Sequence, residues 1–338
     1  MCARFERSDG TLKRDGRWHL PGTVAHVWPF ARAFVATLDV AGIRSVGERS
    51  GLDAVIERRL RALERYWDER GPAYASDPPR PLTQLLGGGD IYHDDNAWTG
   101  LALVQLEHQR PGHSRLHRAA AVAEFARAGW DTDPGAPHPG GVFWVQQGRG
   151  VGARNHDRNA ISTAPNAQLI LHLEALGEPA GRPDPGEMAA WVSDTLGTGR
   201  DLFRDKIRGD GTIDAALWSY NQGSMLGLHA LLSDRGGSDA PGQLGRAETI
   251  ARAALDHYAQ RRYAGEPLEF VAIFARNLLA LSARTADEAL SRRIGETVRG
   301  RADAAWPIPA TATLLQHSAA VTLQALAAWD PADYRLLA

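Results

Sequence analysis

Helical periodicity runs along almost the whole of this 338-residue chain, and it comes in two alternating kinds. Apolar residues recur at i, i+3, i+4 and i+7 along Val24, Val27, Trp28, Ala31, Phe34, Val35 and Leu38, which puts them on one side of an α-helix. Leu52, Val55, Ile56, Leu60, Leu63 and Tyr66-Trp67 repeat the pattern after Ser50, an expected N-cap. Asp184-Pro185-Gly186-Glu187 and Thr285-Ala286-Asp287-Glu288 read as helix starts with a capping side chain and Glu at N3. Eleven helices are expected, over about 22–41, 52–69, 93–109, 114–129, 158–176, 185–197, 219–233, 243–262, 268–283, 286–299 and 311–329. Those over 52–69, 114–129, 243–262 and 286–299 carry charge on one face, as solvent-facing helices do. The others are small or apolar nearly all round and must be buried on most sides.

Pairs of one inner and one outer helix, repeated along a chain, close into a double ring. Six pairs make an all-α (α/α)6 toroid, or barrel. A twelfth helix is then either short or replaced by the N-terminal segment. No linker interrupts the pattern, so residues 1–338 are expected to form a single domain, with 1–20 as an N-terminal extension.

Composition acts mainly by exclusion. The 38 Lys+Arg against 40 Asp+Glu leave no basic footprint for nucleic acid. One cysteine, Cys2, excludes a disulfide framework and a cysteine-rich metal site. No apolar run approaches the roughly 20 residues needed to cross a bilayer. No secretory signal core follows Met1, so a cytoplasmic monomer without membrane insertion is expected. The aromatic set is rich in tryptophan (10 Trp beside 7 Tyr and 8 Phe), and indole faces match the flat apolar faces of sugar rings.

Each inner helix opens with polar or aromatic residues before turning apolar. The openings are Tyr92-His93-Asp94-Asp95-Asn96, Arg158-Asn159-Ala160-Ile161-Ser162, Ser219-Tyr220-Asn221-Gln222-Gly223, Glu269-Phe270-Val271-Ala272-Ile273-Phe274 and Leu315-Gln316-His317-Ser318. In a ring these ends share one rim, with Asp94-Asp95 the richest point on it. Taken alone, acids at a helix start are explained by the helix dipole. Beside Tyr92 and Trp98 they also fit a glycosidase, which needs an acid, a second carboxylate and a stacking surface. Consecutive helical residues diverge by about 100°, so the two carboxyls can flank a sugar held above the rim. A separation of about 5–5.5 Å suits retention and about 6.5–9.5 Å inversion. Repulsion between the pair raises one pKa and so keeps a proton available.

His93 has no partner histidine at ligand spacing, so neither a metal nor another cofactor is expected. His26, His108 and His229 read as ordinary polar or core residues, and Trp28 as core and sugar platform equally. Gly87-Gly88-Gly89 lacks the lysine of a phosphate loop and reads as a flexible approach to the rim. Phe143 and Trp144 follow Gly140-Gly141 in a long Gly-, Pro- and His-rich loop, Asp131 to Asp157, and read as site residues.

The strings Tyr92-His93-Asp94-Asp95-Asn96-Ala97-Trp98, Gly140-Gly141-Val142-Phe143-Trp144, Arg158-Asn159-Ala160-Ile161-Ser162, Tyr220-Asn221-Gln222-Gly223 and Ile273-Phe274-Ala275-Arg276 resemble glycoside hydrolase family 76 in order and spacing. The resemblance implies an (α/α)6-barrel, metal-independent, retaining endo-α-1,6-mannanase or a related transglycosylase, with α-mannan or manno-oligosaccharide as its partner. It assigns Asp94 as nucleophile and Asp95 as general acid/base. It places Tyr92, Asn96, Trp98, Phe143, Trp144, Asn159, Tyr220, Asn221, Gln222 and Phe274 at substrate-binding positions. One departure stands out: Phe270-Val271-Ala272-Ile273-Phe274 replaces a common Phe-Lys-Gly-Ile-Phe string, so a lysine is missing. The alternatives are the same fold acting on another glycan, a sugar epimerase using rim histidines (His93 and His317 lie nearest), and a non-catalytic carbohydrate binder.

Overall fold

A computed structural model describes residues 4–13, 24–47, 51–79, 89–261 and 265–338. Among them are eleven helices of twelve residues or more. The odd-numbered ones are α1 (Val27–Ala41), α3 (His93–Gln109), α5 (Ala160–Ala175), α7 (Ser219–Asp234), α9 (Leu268–Ser282) and α11 (Leu314–Ala328). These pack side by side in chain order, and α11 returns to α1 to close an inner ring of six. The even-numbered helices form the outer layer: α2 (Leu52–Leu63), α4 (Leu116–Ala128), α6 (Pro185–Leu196), α8 (Ala240–Arg261) and α10 (Glu288–Ala304). This is an (α/α)6 barrel.

The two helix types follow from what each must cover. In α5 every residue from Ala160 to Leu173 is buried, as an inner helix with neighbours on all sides requires. In α10 only Leu290, Ile294, Val298 and Ala302 are buried, a single stripe at i, i+4 spacing. Buried side chains from all eleven helices join one continuous apolar cluster. Small residues let the inner helices approach closely: a Cβ on Gly223 would come within 2.8 Å of the Phe274 backbone.

Several sequence expectations are corrected. The 185–197 segment, grouped with the all-round apolar helices, is an outer helix whose Glu187, Ala190 and Asp194 face solvent. Its short stripe of Met188, Ala189, Trp191 and Val192 looked fully buried because bulky residues dominate it. The helix over 52–69 ends at Leu63, followed by a 3-10 turn and a strand, β1 (Trp67–Asp68), paired antiparallel with β2 (Ala73–Tyr74). Ring packing between Trp67 and Tyr74, at 5.0 Å, outweighs helical continuation there. The 158–176 helix starts only at Ala160, because Arg158–Asn159 is strand β3, joined to β4 (Lys206–Ile207) and β5 (Ile213–Asp214). Asp184 caps α6 as expected, accepting from the Gly186 N–H at 2.8 Å. The cap of α10 is Asp287, two residues beyond the expected Thr285. Ser50, Gly87 and Gly88 lie outside the described residues.

No sixth outer helix lies between α11 and α1 among the described residues. Residues 4–13, expected as an extension, instead bury Phe5 and Leu12 in the core. Arg59 ties this segment to the ring by donating to Glu6 at 2.9 Å. Among the described residues, no helix is long and apolar enough to cross a membrane.

Inside the barrel, Asp39 of α1 takes both carboxylate bonds from Arg276 of α9 at 2.6 Å and a third from Gln105 of α3 at 2.9 Å. Arg32 lies close enough for Asp39 to favour its charge, although burial and the Arg276 charge lower its pKa to about 9. One buried carboxylate therefore balances two buried guanidinium groups. Asp39→Ala is expected to cost about 3–5 kcal/mol, because Arg276 loses its carboxylate partner and Arg32 keeps only the pull of Glu269. A urea midpoint within error of wild type would refute that role.

Candidate active site

All six inner helices point their N-terminal ends at one cleft of 540 Å³. Each contributes at least one lining residue: Trp28 from α1, Asp94, Asp95 and Trp98 from α3, Asn159 at the N-cap of α5, Tyr220 from α7, Phe270 from α9 and Leu315 from α11. Convergence at N-terminal ends aims the positive ends of six helix dipoles at the same space.

Asp94 and Asp95 are half-buried in the cleft wall, in the first turn of α3. Their surroundings differ. Asp94 accepts the Asp95 backbone N–H on Oδ1 at 3.0 Å and the Trp144 indole N–H on Oδ2 at 3.2 Å. No donor reaches the Asp95 carboxyl among the described residues. Burial raises the Asp94 pKa to about 7, against the opposing pull of those two donors. Burial, reinforced by the Asp94 charge, pushes Asp95 well above the carboxylate range. Asp94 is thus the carboxyl fitted to hold charge, and Asp95 the one fitted to hold a proton.

This asymmetry has a stability signature. A carboxyl whose folded pKa is raised binds more protons folded than unfolded, so stability falls as pH climbs from the unfolded value of 3.8. Asp95→Asn removes that loss without removing a hydrogen bond. The variant is expected to match wild type near pH 4 and exceed it by about 1–3 kcal/mol at pH 7. Parallel melting curves across that range would contradict a protonated Asp95.

Trp144 reaches Asp94 because its loop is held at both edges. Val145 bridges to Tyr92 and Phe143 to Arg158. Arg158, buried in β3, donates to the carbonyls of His138 and Gly140 at 2.7 and 2.9 Å and pairs with Asp131 at 2.9 Å. Gly140 and Gly141 hold positive φ of 105° and 82°, and Trp191 fills the space any side chain there would need.

Around the carboxyls lie three aromatic groupings: Tyr92 with Trp144 at 4.8 Å, Trp28 with Trp98 at 6.2 Å, and Tyr220 stacked on Phe270 at 3.8 Å. Burial and the charges of Asp90, Asp95 and Asp94 push the Tyr92 hydroxyl up to about 12, so it stays a proton donor. A third carboxyl, Asp205, lines the cleft and accepts from Asn221 at 3.3 Å. Burial raises its pKa. Lys206 lines the cleft beside it, paired with Asp157 at 2.8 Å.

Of the site residues expected from sequence, the cleft brings together Tyr92, Asp94, Asp95, Trp98, Trp144, Asn159 and Tyr220. Asn221 sits one layer behind, supporting Asp205. Asn96 is turned into the scaffold, where it bonds the Tyr74 N–H and C=O at 2.7 and 2.9 Å. Gln222 likewise closes both backbone groups of Phe203. Phe274 is buried against Tyr258, one helical turn below Phe270, which takes the rim position instead. Phe143, bridged to Arg158, lines a separate cavity on the other side of the loop from Trp144. His26, expected as an ordinary polar or core residue, lines the cleft, and so does Trp28, for which core and sugar platform are equal expectations. Asp205 and Lys206 carried no sequence signal, since only the pairing of β4 with β3 brings them to Asn159.

The model for "Glycosyl hydrolase family 76" matches residues 10–330. The Meiotically up-regulated gene 191 protein of Schizosaccharomyces pombe is 25% identical over 248 residues, which cover 68% of this chain. The chain spans about half that protein's length, 52%. Among solved structures, the family 76 mannosidase Bt3792 of Bacteroides thetaiotaomicron superposes with a TM-score of 0.77 at 20% identity, covering 95% of this chain and 92% of that one. An inactive α-1,6-mannanase variant from Salegentibacter sp. HEL1_6, with two consecutive aspartates changed to asparagine, was solved with α-1,6-mannotriose. It superposes with a TM-score of 0.70 at 18% identity, covering 96% and 95%. These likenesses show a shared fold.

Proposed function

The chain belongs to glycosyl hydrolase family 76, and within that family we propose that it cleaves α-1,6-linked mannosides with retention at Asp94 and Asp95. One observation carries the reading: two donors favour the Asp94 anion, while among the described residues Asp95 has none and lies beside that charge. Asp94 attacks the anomeric carbon as the glycosidic C–O bond breaks, and the leaving oxygen takes the Asp95 proton. A water then gives a proton to the Asp95 carboxylate while its oxygen displaces Asp94 from the sugar. The stacked and tilted aromatic pairs offer apolar faces to sugar rings, and Asp205 and Asn159 are placed to bond hydroxyls. Interception of the same intermediate by a sugar hydroxyl would make transfer instead of hydrolysis.

Support for the α-1,6-mannosidic bond comes from the Salegentibacter relative crystallised with α-1,6-mannotriose. Epimerase chemistry fits less well. It needs two histidines as acid and base, but among the described residues His26 alone lines the cleft, while His93 is buried behind the wall and His317 packs edge-on against Phe5 at 5.5 Å. Proton NMR of α-1,6-mannotriose digestion is expected to show an α-anomer as the first product. A β-anomer first would overturn retention, and no cleavage would overturn the substrate.

A further inference from the structure

We propose a second glycan-binding pocket, back to back with the cleft across the strand-like wall formed by residues 142–146. The proposal takes its ligand class, a neutral hexose oligosaccharide, from the reading above. Trp144, at a bend in the wall, turns to the cleft, while Phe143 and Gln146 line a cavity of 630 Å³ on the other side. Backbone bonds from Phe143 to Gly129, from Trp144 to Asp157 and from Gln146 to Ile91, all at 2.8–2.9 Å, make the wall rigid.

The cavity has what a sugar needs. Phe143 and Trp130, both half-buried, supply two aromatic surfaces, and Trp191 props the Trp130 ring edge-on at 6.3 Å. Two of its lining residues carry a buried polar atom with no partner among the described residues: Gln146 (Oε1) and His93 (Nδ1). His93 is only 2% exposed and lies flat against Phe125 at 4.1 Å. Burial holds its pKa near 3, so it offers a hydrogen bond without charge. Unpartnered buried polar groups are costly and call for a hydroxyl-bearing occupant.

Other ligand classes fit poorly. Asp131 is already paired with Arg158, and Glu124 with Arg127, while Asp133 adds negative charge at the mouth. Arg70 also lines the cavity and offsets Asp133, so no net charge of the lining selects an ion, and the described residues hold no metal-binding cluster. The neighbours His93 and Asp94 face opposite sides of the wall, so a chain or branch crossing the rim engages both pockets.

The test uses the catalytically blocked Asp94→Asn/Asp95→Asn protein titrated calorimetrically with α-1,6-mannotriose. Two sites are expected. Ala128→Trp, at an exposed position bordering the cavity, fills it and is expected to remove one site. Trp130→Ala is expected to weaken the same site at least fivefold. In the active protein, Ala128→Trp should leave mannotriose turnover within twofold and raise KM for long polymer at least fivefold. A single site in the blocked protein, or two sites surviving Ala128→Trp, overturns the proposal. Failure of the wild type to cleave mannosides would sink the catalytic reading alone, because the second site is read by binding.

Discussion

Replacing Asp94 by Asn is expected to lower kcat/KM for α-1,6-mannotriose by about 10⁴–10⁶-fold, with the loss almost entirely in kcat. Asparagine keeps the shape, and its single carbonyl oxygen still accepts from either the Asp95 N–H or the Trp144 indole, so the fold and sugar binding survive the loss of the other bond. What disappears is the anion that forms the glycosyl ester. Because no intermediate can form, an activated aryl mannoside should fare no better than the natural linkage. A variant retaining more than about 1% of wild-type kcat, with unchanged circular dichroism, would remove Asp94 from the nucleophile's role.

Asp95→Ala is expected to behave differently, and the difference separates the two carboxyls. With α-1,6-mannotriose, loss of the proton donor should cost about 10²–10⁴-fold. With an aryl mannoside whose leaving group needs no proton, the first step should remain fast and the glycosyl ester accumulate as a burst. Azide, an anion that needs no general base, should then restore turnover and yield the α-mannosyl azide. Equal losses on both substrates without azide rescue would show that Asp95 is not the acid/base. The donors on Asp94, and their lack on Asp95 among the described residues, are why we propose the roles this way round.

The inner and outer helix types were legible because burial on all sides and burial on one stripe leave different periodicities. Where bulky residues crowd a short stripe, as in 185–197, the two look alike, and that helix was placed in the wrong layer. The rim position of Asp94-Asp95 was equally legible, since a helix start next to small and apolar residues marks an inner N-terminus. Phe274 is expected from its motif string, yet Phe270 takes the rim one turn earlier, because a string fixes neighbours along a helix and not their depth below the rim. Asn96 and Gln222 share their motif strings with cleft residues. About 100° of rotation per residue was enough to turn them into the scaffold.

By itself, the sequence determined the double ring, the rim where the inner-helix starts meet and the place of the carboxylate pair on it, because all three rest on local spacing along helices. Tertiary structure alone decided what distinguishes the two carboxyls. Trp144 lies 50 residues from Asp94 and reaches it only because Arg158 and a series of backbone bonds fold the long loop over the rim. It likewise decided that Asp205 joins the cleft and that Phe143 leaves it. Strand and bridge pairing depends on register between distant segments, and local spacing carries no record of that register.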